Sequence, residues 1–225
     1  MLAREPELSV KELAQRTQIP ASSVYRILRE LLASGLAQRT AASRYGAGPV
    51  TVQLAARYRE TALETSSVTP QLRVLAEQTG ELAAFMVVHG TEAVCVETAE
   101  TRRALRCSFS VGASQPLLRG ATATALLSRM EESAREHVFD TYRLQQHERE
   151  TITAAAMHAR ATGYAVSAGV LDEGIWGASA PVLDSDGALL GTVTLMAPTA
   201  RASHRAAHLT QLACRTAGML SGGMK

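Results

Sequence analysis

The chain has 225 residues, of which 46% are hydrophobic, 20% charged and 4% aromatic, proportions that exclude a wholly disordered chain and fit one large domain or two small ones. No apolar run reaches the roughly 18–20 residues that cross a membrane, and the first residues lack a signal-peptide pattern. The three cysteines are too far apart for a disulfide scaffold or a Cys-x-x-Cys zinc site. We therefore expect a cytoplasmic protein without a metal or other cofactor.

Positive charge is concentrated at the N-terminal end of the chain. Residues 1–60 carry nine Lys/Arg and five Asp/Glu, whereas residues 61–225 carry 14 Lys/Arg and 16 Asp/Glu. A basic segment attached to a weakly acidic body favours a polyanion as the partner of that segment. Solvated surface arginines without a partner are the alternative interpretation.

Residues 8–35 have the pattern of two short helices joined by a tight turn. Ser9 and Glu12 form the Ser-x-x-Glu capping box that starts a helix, Pro20 suits the opening of a second helix, and Gly35 suits its end. This arrangement is typical of a helix-turn-helix, whose second helix enters the major groove of DNA. An apolar stripe on that helix predicts its buried face: Val24, Ile27, Leu28, Leu31 and Leu32.

Two short strand candidates, Leu36–Arg39 and Arg44–Tyr45, follow the second helix and predict a small β-wing. Hydroxyls near a helix N-terminus approach phosphates closely, and arginine pairs with phosphate or guanine. A helical hairpin with a polar face is the alternative. The predicted DNA-contacting residues lie on the polar face of the second helix or on the wing: Ser22, Ser23, Tyr25, Arg26, Arg29, Arg39 and Arg44.

The rest of the chain predicts one α+β domain with an antiparallel sheet, because strands, then helices, then strands follow one another. A helix over about 50–65 joins it to the N-terminal part and is a candidate dimer seam, because its apolar residues lie on more than one face. The predicted organisation is therefore a DNA-binding domain over 1–48, a linker helix over 49–66 and a second domain over 67–225. The predicted strands are Leu82–His89, Ala93–Glu97, Leu105–Val111, Gly163–Ser167, Ile175–Val182 and Ala188–Met196.

No pattern in this second domain predicts catalysis. Ser179 lies in Gly-Ala-Ser-Ala-Pro, which lacks the second glycine of a nucleophile elbow. His204 and His208 are four residues apart without a glutamate between them, so a surface pair is favoured over a metal site. A serine hydrolase that uses Ser179 is kept as a remote alternative.

Two groups of motifs, in this order and at this spacing, resemble the IclR family of bacterial transcriptional regulators. The resemblance implies a winged helix-turn-helix, a GAF-like domain that binds a small organic effector, and dimers or tetramers. The motifs of the first group are Leu8–Ala14, Ile19–Arg26 and Leu28…Leu31…Gly35-Leu36; those of the second are Leu105-Arg106…Gly112…Pro116-Leu117…Ala121…Ala125–Leu127 and Gly163–Val166…Gly174-Ile175…Ala178…Ala180–Val182.

The sequence departs from the family pattern at its start and at four positions in the second domain. The residues before Ser9 are too few for the family's long first helix, so either the chain starts late or the DNA-binding domain is partly truncated. Leu118, Ala123-Thr124, Ser167–Gly169 and Gly177 stand where the family has a histidine, a Gly-Lys pair, an acidic cluster and a cysteine. We therefore expect a less charged effector pocket than the family norm.

The predicted effector pocket lies between the sheet and the helix start at 118–122. Residues two apart on a strand share a face, and a helix start offers free amides that suit a carboxylate. Trp176 nearby favours an aromatic acid. That these side chains only fill the core is the alternative. Combining strand alternation, the helix start and the resemblance, we expect this pocket to contain Leu105, Cys107, Phe109, Gly120, Ala121, Thr122, Ser167, Gly177, Ser179, Thr194 and Met196.

The sequence thus predicts a transcriptional regulator that binds operator DNA under the control of a small organic effector, for which a carboxylic acid is the candidate class. A ligand-binding module that has lost DNA binding through its shortened start is the alternative. The identity of the effector, the operator, and the choice between repressor and activator stay open.

Overall fold

A computed structural model describes residues 1–40, 43–64, 67–100 and 110–223. The chain divides into two compact units, Met1–Ala62 and Leu63–Lys225. The boundary between them falls inside the predicted linker 49–66. Among the described residues, no helix combines the length and the apolar character that crossing a bilayer requires.

The first unit contains the predicted helix-turn-helix and wing. Helix α1 spans Val10–Thr17 and α2 spans Ala21–Ala33. Strands β1, Ala37–Arg39, and β2, Tyr45–Ala47, pair antiparallel as the wing. Gly35 has φ +72°, the left-handed conformation expected for the residue that ends α2.

The capping box at the start of α1 forms as predicted. Ser9 Oγ accepts a hydrogen bond from the Glu12 amide at 3.2 Å, and Glu12 Oε2 accepts one from the Ser9 amide at 2.7 Å. Each bond satisfies an amide that the helix itself cannot pair.

The residues before Ser9 pack onto this unit. The backbone of Leu8 exchanges two hydrogen bonds of 2.8 Å with that of Tyr45 on the wing. Leu8, Leu13, Val24, Leu28 and Tyr45 form the buried core of the unit. The first residues of the chain therefore close the core against the wing.

Helix α3 spans Val50–Tyr58 and continues into wider π-helical turns over Arg59–Glu64. The structure thus gives the predicted helix of 50–65 two kinds of turn. None of the residues Val50–Tyr58 is buried.

The second unit contains an antiparallel sheet of six strands in the order β5-β4-β3-β8-β7-β6. This confirms the predicted α+β class. The strands are β3, Leu82–His89; β4, Glu92–Ala99; β5, Ser114–Pro116; β6, Ala165–Ala168; β7, Ile175–Leu183; and β8, Leu189–Pro198. The predicted strand Leu105–Val111 lies mostly outside the described residues, and its last two positions are not in a strand.

Helices cover both faces of this sheet. Helices α4 and α9 pack together and against the central strands, whereas α5 packs on the other face against β6, β7 and β8, with α7 behind it. Leu82, Ala84 and Met86 of β3 belong to the buried core on the α5 side. The helices are α4, Val68–Thr79; α5, Gly120–Leu127; α6, Glu132–Thr141; α7, Gln146–Thr162; α8, Thr199–Ala202; and α9, Ala206–Gly223.

Candidate functional sites

The exposed face of α2 and the adjoining strand β1 form a groove of about 520 Å³ in the first unit. Leu28, Leu32 and Tyr45 contribute its apolar part. Five of the seven predicted DNA-contacting residues also line it: Ser22, Tyr25, Arg26, Arg29 and Arg39.

The arginines of this groove keep their guanidinium groups available. Arg26 is exposed and makes no hydrogen bond or ion pair with any other described residue. Arg29 touches only the neighbouring Glu30, at 3.3 Å with both side chains highly exposed. Arg39 lies 5.7 Å from the centroid of the Tyr45 ring, which holds it against the wing by a cation–π contact. The groove therefore presents positive charge to solvent.

Arg44, predicted to contact DNA from the wing, is about one-third exposed and is paired with carboxylates of its own unit. Its Nε lies 3.1 Å from Glu7 Oε1, and its Nη2 lies 2.9 Å from Glu12 Oε2. Bonds from the Ser9 amide and hydroxyl, together with Arg44, lower the pKa of Glu12 to about 2. Two carboxylates thus neutralise Arg44, and its role here is to join the wing to the start of α1.

Ser23 does not line the groove either. It is half-buried at the amino end of α2, where its amide donates to the carbonyl oxygen of Pro20 at 2.9 Å.

A cavity in the second unit lies at the amino end of α5, as predicted for the effector pocket. Six predicted residues line it: Ala121, Thr122, Ser167, Gly177, Thr194 and Met196. Four further residues were not predicted: Gln115, Leu171, Asp172 and Ile175. Strand alternation would have included Ile175, which is two residues before Gly177, whereas no sequence pattern indicated the other three.

Three buried hydroxyls meet at this cavity. Thr194 Oγ1 lies 2.8 Å from Ser179 Oγ and 3.1 Å from Thr122 Oγ1, and the last two are 3.3 Å apart. Ser179 itself does not line the cavity, but it lies next to it because both of its hydrogen-bond partners, Thr122 and Thr194, do. Both partners are hydroxyls rather than a general base, so the contacts of Ser179 do not support the hydrolase alternative.

A side chain from the sheet caps the amino end of α5. Ser167 Oγ accepts a hydrogen bond of 3.0 Å from the Ala121 amide. The residue before the helix, Arg119, makes no side-chain capping bond. Ser167 therefore satisfies one of the helix-start amides that the sequence offered to an anion.

Gly120 is required where the loop between β6 and β7 crosses this helix start. Its φ is +86°, and a Cβ at this position would lie 2.8 Å from Cδ1 of Leu171. Gly169 and Gly174, at the two ends of the loop 169–174, also have positive φ values. The cavity beneath Leu171 measures about 20 Å³, close to the space of a single water molecule.

Not every residue predicted at the pocket is among the residues seen to line it. Leu105, Cys107 and Phe109 lie outside the described residues. Trp176 was expected near the effector, but it is not among the lining residues. It precedes Gly177, whose Cα faces Ala121, so alternation turns the indole to the opposite face of the sheet, where it is buried.

The described residues contain no cluster of three or more His, Cys, Asp or Glu side chains placed to hold a metal ion. His204, in the turn before α9, and His208, on α9, are both exposed.

Both units of the chain match models of one protein family. Residues 61–221 match the family model of the bacterial transcriptional regulator IclR C-terminal domain, and residues 1–41 match that of the IclR helix-turn-helix domain. The chain is 26% identical over 232 residues to the HTH-type transcriptional regulator BhcR of Paracoccus denitrificans, an alignment that covers 100% of this chain and 83% of that protein.

Solved structures of other proteins resemble this one. An IclR transcriptional regulator from Silicibacter sp. TM1040 superposes with a TM-score of 0.86 at 24% identity, covering 98% of this chain and 91% of that one, which shows the fold. The C-terminal domain of a transcriptional regulator from Vibrio cholerae superposes with a TM-score of 0.65 at 34% identity, covering 72% of this chain and 99% of that one.

Proposed function

The chain belongs to the IclR family of bacterial transcriptional regulators, and from that premise we propose that a small organic effector controls its affinity for operator DNA. It is a regulator with a helix-turn-helix DNA-binding domain and a C-terminal domain. We assign residues 1–48 to DNA binding, 49–66 to the linker and 67–225 to effector binding. We further propose that it acts in the cytoplasm, where bacterial DNA lies, and that it works by binding rather than by catalysis, as the regulators it resembles suggest.

The DNA-binding proposal depends above all on Arg26. It is exposed on the second helix of the helix-turn-helix, beside Tyr25 and Ser22, and no described carboxylate neutralises it. The second helix is the element that enters the major groove, and arginine is the residue that most often reads guanine there. Arg29 and Arg39 extend the positive surface toward the phosphates on either side.

The test is fluorescence anisotropy with labelled fragments of the promoter region next to the gene, titrated at several salt concentrations. Phosphate contacts release counterions, so the binding constant should fall steeply as salt rises. Arg26→Ala should weaken operator binding by about 1–3 kcal/mol if it reads a base. Arg73→Ala, an exposed arginine of α4, is the matched control and should bind like the native protein.

Native operator affinity in the Arg26→Ala protein would remove this helix from the interface. Absence of salt-dependent DNA binding in the native protein would favour the alternative, a ligand-binding module that has lost DNA binding.

The effector proposal depends on the cavity at the amino end of α5. Its walls are apolar at Ala121, Ile175 and Met196, and the hydroxyl cluster forms a polar end. Remaining amides at the start of α5 favour a carboxylate. The Asp172 carboxylate also lines the cavity and disfavours a second negative charge. We therefore propose a small acid with one carboxylate and an apolar body.

Such an acid is larger than the 20 Å³ cavity, since ligand pockets usually measure about 300–1,000 Å³. The loop 169–174 is the segment that must move, because Leu171 covers the helix start and glycines stand at both ends of the loop. An effector that binds only when this loop is displaced has different affinities for the closed and the displaced conformation. A ligand can shift a conformational equilibrium only through such a difference in affinity.

We also propose that the protein is at least a dimer, with α3 in the seam. Val52, Leu54 and Tyr58 of α3 are 71%, 56% and 44% exposed, an apolar surface that a second copy would bury. A two-fold pair reads two half-sites about one helical turn apart. Light scattering at micromolar concentration tests this, and a monomeric mass would contradict it; a dimer and a tetramer are distinguished by the same measurement.

A further inference from the structure

A second cavity in the C-terminal unit, distinct from the effector pocket, contains three arginines. It measures about 320 Å³ and lies where the turn after α5 meets the start of α6, the end of α7 and the turn between β7 and β8. We call it the arginine cavity and define it by its lining: Arg129, Met130, Glu131, Glu132, Arg135, Arg160 and Gly187.

The three guanidinium groups lack a carboxylate partner among the described residues. Arg129 donates to the carbonyl oxygen of Arg160 at 3.4 Å, and no ion pair within 4 Å involves Arg129, Arg135 or Arg160. The Nε atoms of Arg129 and Arg135 are buried without a hydrogen-bond partner. A buried donor on a charged group without an acceptor is costly, so this arrangement is unusual unless an acceptor binds.

Other half-buried arginines of the same unit have acceptors. Arg149 contacts Glu136 at 2.9 Å and Asp140 at 2.7 Å, Arg201 contacts Glu81 at 2.7 Å, and Arg205 donates to the carbonyl oxygen of Thr79 at 3.3 Å. Arg129 and Arg135 differ from these three, because each has a buried Nε without an acceptor among the described residues.

The start of α6 adds hydrogen-bond donors at the same place. This helix has ten residues, and its N-cap residue, Glu131, makes no side-chain capping bond. The first amides of a helix carry partial positive charge and bind anions. The carboxylates of Glu131 and Glu132 also line the cavity, but both side chains are exposed and reduce its positive charge without cancelling it.

We propose that the arginine cavity binds a small oxyanion carrying two or more negative charges. Guanidinium groups match both carboxylates and phosphates in planar, two-bond contacts, and the cavity volume is at the lower end of the range for ligand sites. The site is at the carboxyl end of α5, about 12 Å along the helix from the effector pocket at its amino end. A bound anion would therefore hold the end of the helix opposite the effector.

Pyrophosphate and citrate are the probes, one for each oxyanion class, added to the full chain without DNA. Each titration is paired with sodium chloride of equal ionic strength, and the melting temperature is read. Binding to the folded state raises the melting temperature in a saturable way. We expect at least one probe to do so and sodium chloride to have no comparable effect.

Matched variants localise the binding. Arg135→Gln should raise the apparent Kd of the anion at least tenfold. Arg215 is an exposed arginine of α9, and Arg215→Gln should leave this Kd within twofold of the native value. Glu132→Gln removes an exposed carboxylate from the cavity and should tighten binding several-fold, which keeps the test valid even if Arg135→Gln fails to fold.

An unchanged Kd in folded Arg135→Gln, or no tightening in Glu132→Gln, would overturn the proposal. So would loss of binding in Arg26→Gln, because the anion would then occupy the DNA-binding groove. The measurement contains neither operator nor effector, so its failure would leave the proposed regulatory function unaffected.

Discussion

Replacing Gly177 by alanine should separate effector binding from folding. Gly177 lies on β7 and lines the effector pocket, and its φ is not positive. A Cβ there would lie 3.6 Å from the Leu195 carbonyl oxygen and 3.9 Å from both Ala121 Cβ and Ser167 Oγ. All three are ordinary van der Waals distances, so the backbone accepts the methyl group without strain.

The expected change in stability is small and its sign is favourable. Glycine to alanine at a compatible position stabilises by about 0.4–1 kcal/mol, because the unfolded chain loses freedom. In a chain of this size that corresponds to a rise in Tm of roughly 1–4 °C. The same methyl group, however, enters a cavity of only about 20 Å³. We expect effector affinity to fall at least tenfold.

The assay is a thermal-shift screen of small monocarboxylic acids on the native protein, followed by titration of any ligand that alters DNA affinity. Gly218→Ala is the matched control, because it adds the same methyl group on α9, where nothing lies within 4 Å. If that ligand binds Gly177→Ala with native affinity, the pocket lies elsewhere and the placement at the amino end of α5 is wrong.

Three further outcomes are expected. Thr194→Val keeps the shape of the side chain but leaves two buried hydroxyls with one partner fewer, so urea unfolding should show a loss of about 1–2 kcal/mol; an unchanged midpoint would contradict the hydroxyl cluster. Arg44→Gln should lower stability while Arg39→Gln weakens DNA binding for all sequences alike, as thermal melts and anisotropy will distinguish. The pKa of Glu12 is depressed to about 2, so the stability it supplies is complete above its ordinary pKa of 4.5 and is lost as pH falls toward 2. The difference in stability between native protein and Glu12→Gln should therefore shrink over that interval, and a constant difference would refute the assignment.

Features that depend on neighbours in sequence were predictable. The capping box of Ser9 and Glu12 is formed by residues three apart, and Gly35 takes the left-handed conformation expected of the residue that ends α2. Strand alternation likewise placed Gly177 and Thr194 on the pocket side. These rules work because they need only the local geometry of one helix, turn or strand.

Features that depend on distant residues were not predictable. The ion pairs of Arg44 were not predicted, because its partners Glu7 and Glu12 are 37 and 32 positions away and reach it only after the wing has folded. Ser167 caps α5 from 46 positions away. Trp176 is a different case, because strand alternation was sufficient to predict its position. If Gly177 faces the pocket, the residue next to it must face the other side of the sheet.

The cluster formed by Thr122, Ser179 and Thr194 has a consequence for how the regulator distinguishes ligands. A hydroxyl has one proton to donate and two lone pairs that accept. In a closed ring of three, each hydroxyl donates its proton to the next, so whichever way the ring runs it offers a ligand free lone pairs and no proton. The ring therefore favours an effector that brings a hydrogen-bond donor to it, and an effector oxygen that needs a donor must find one at the amides that start α5.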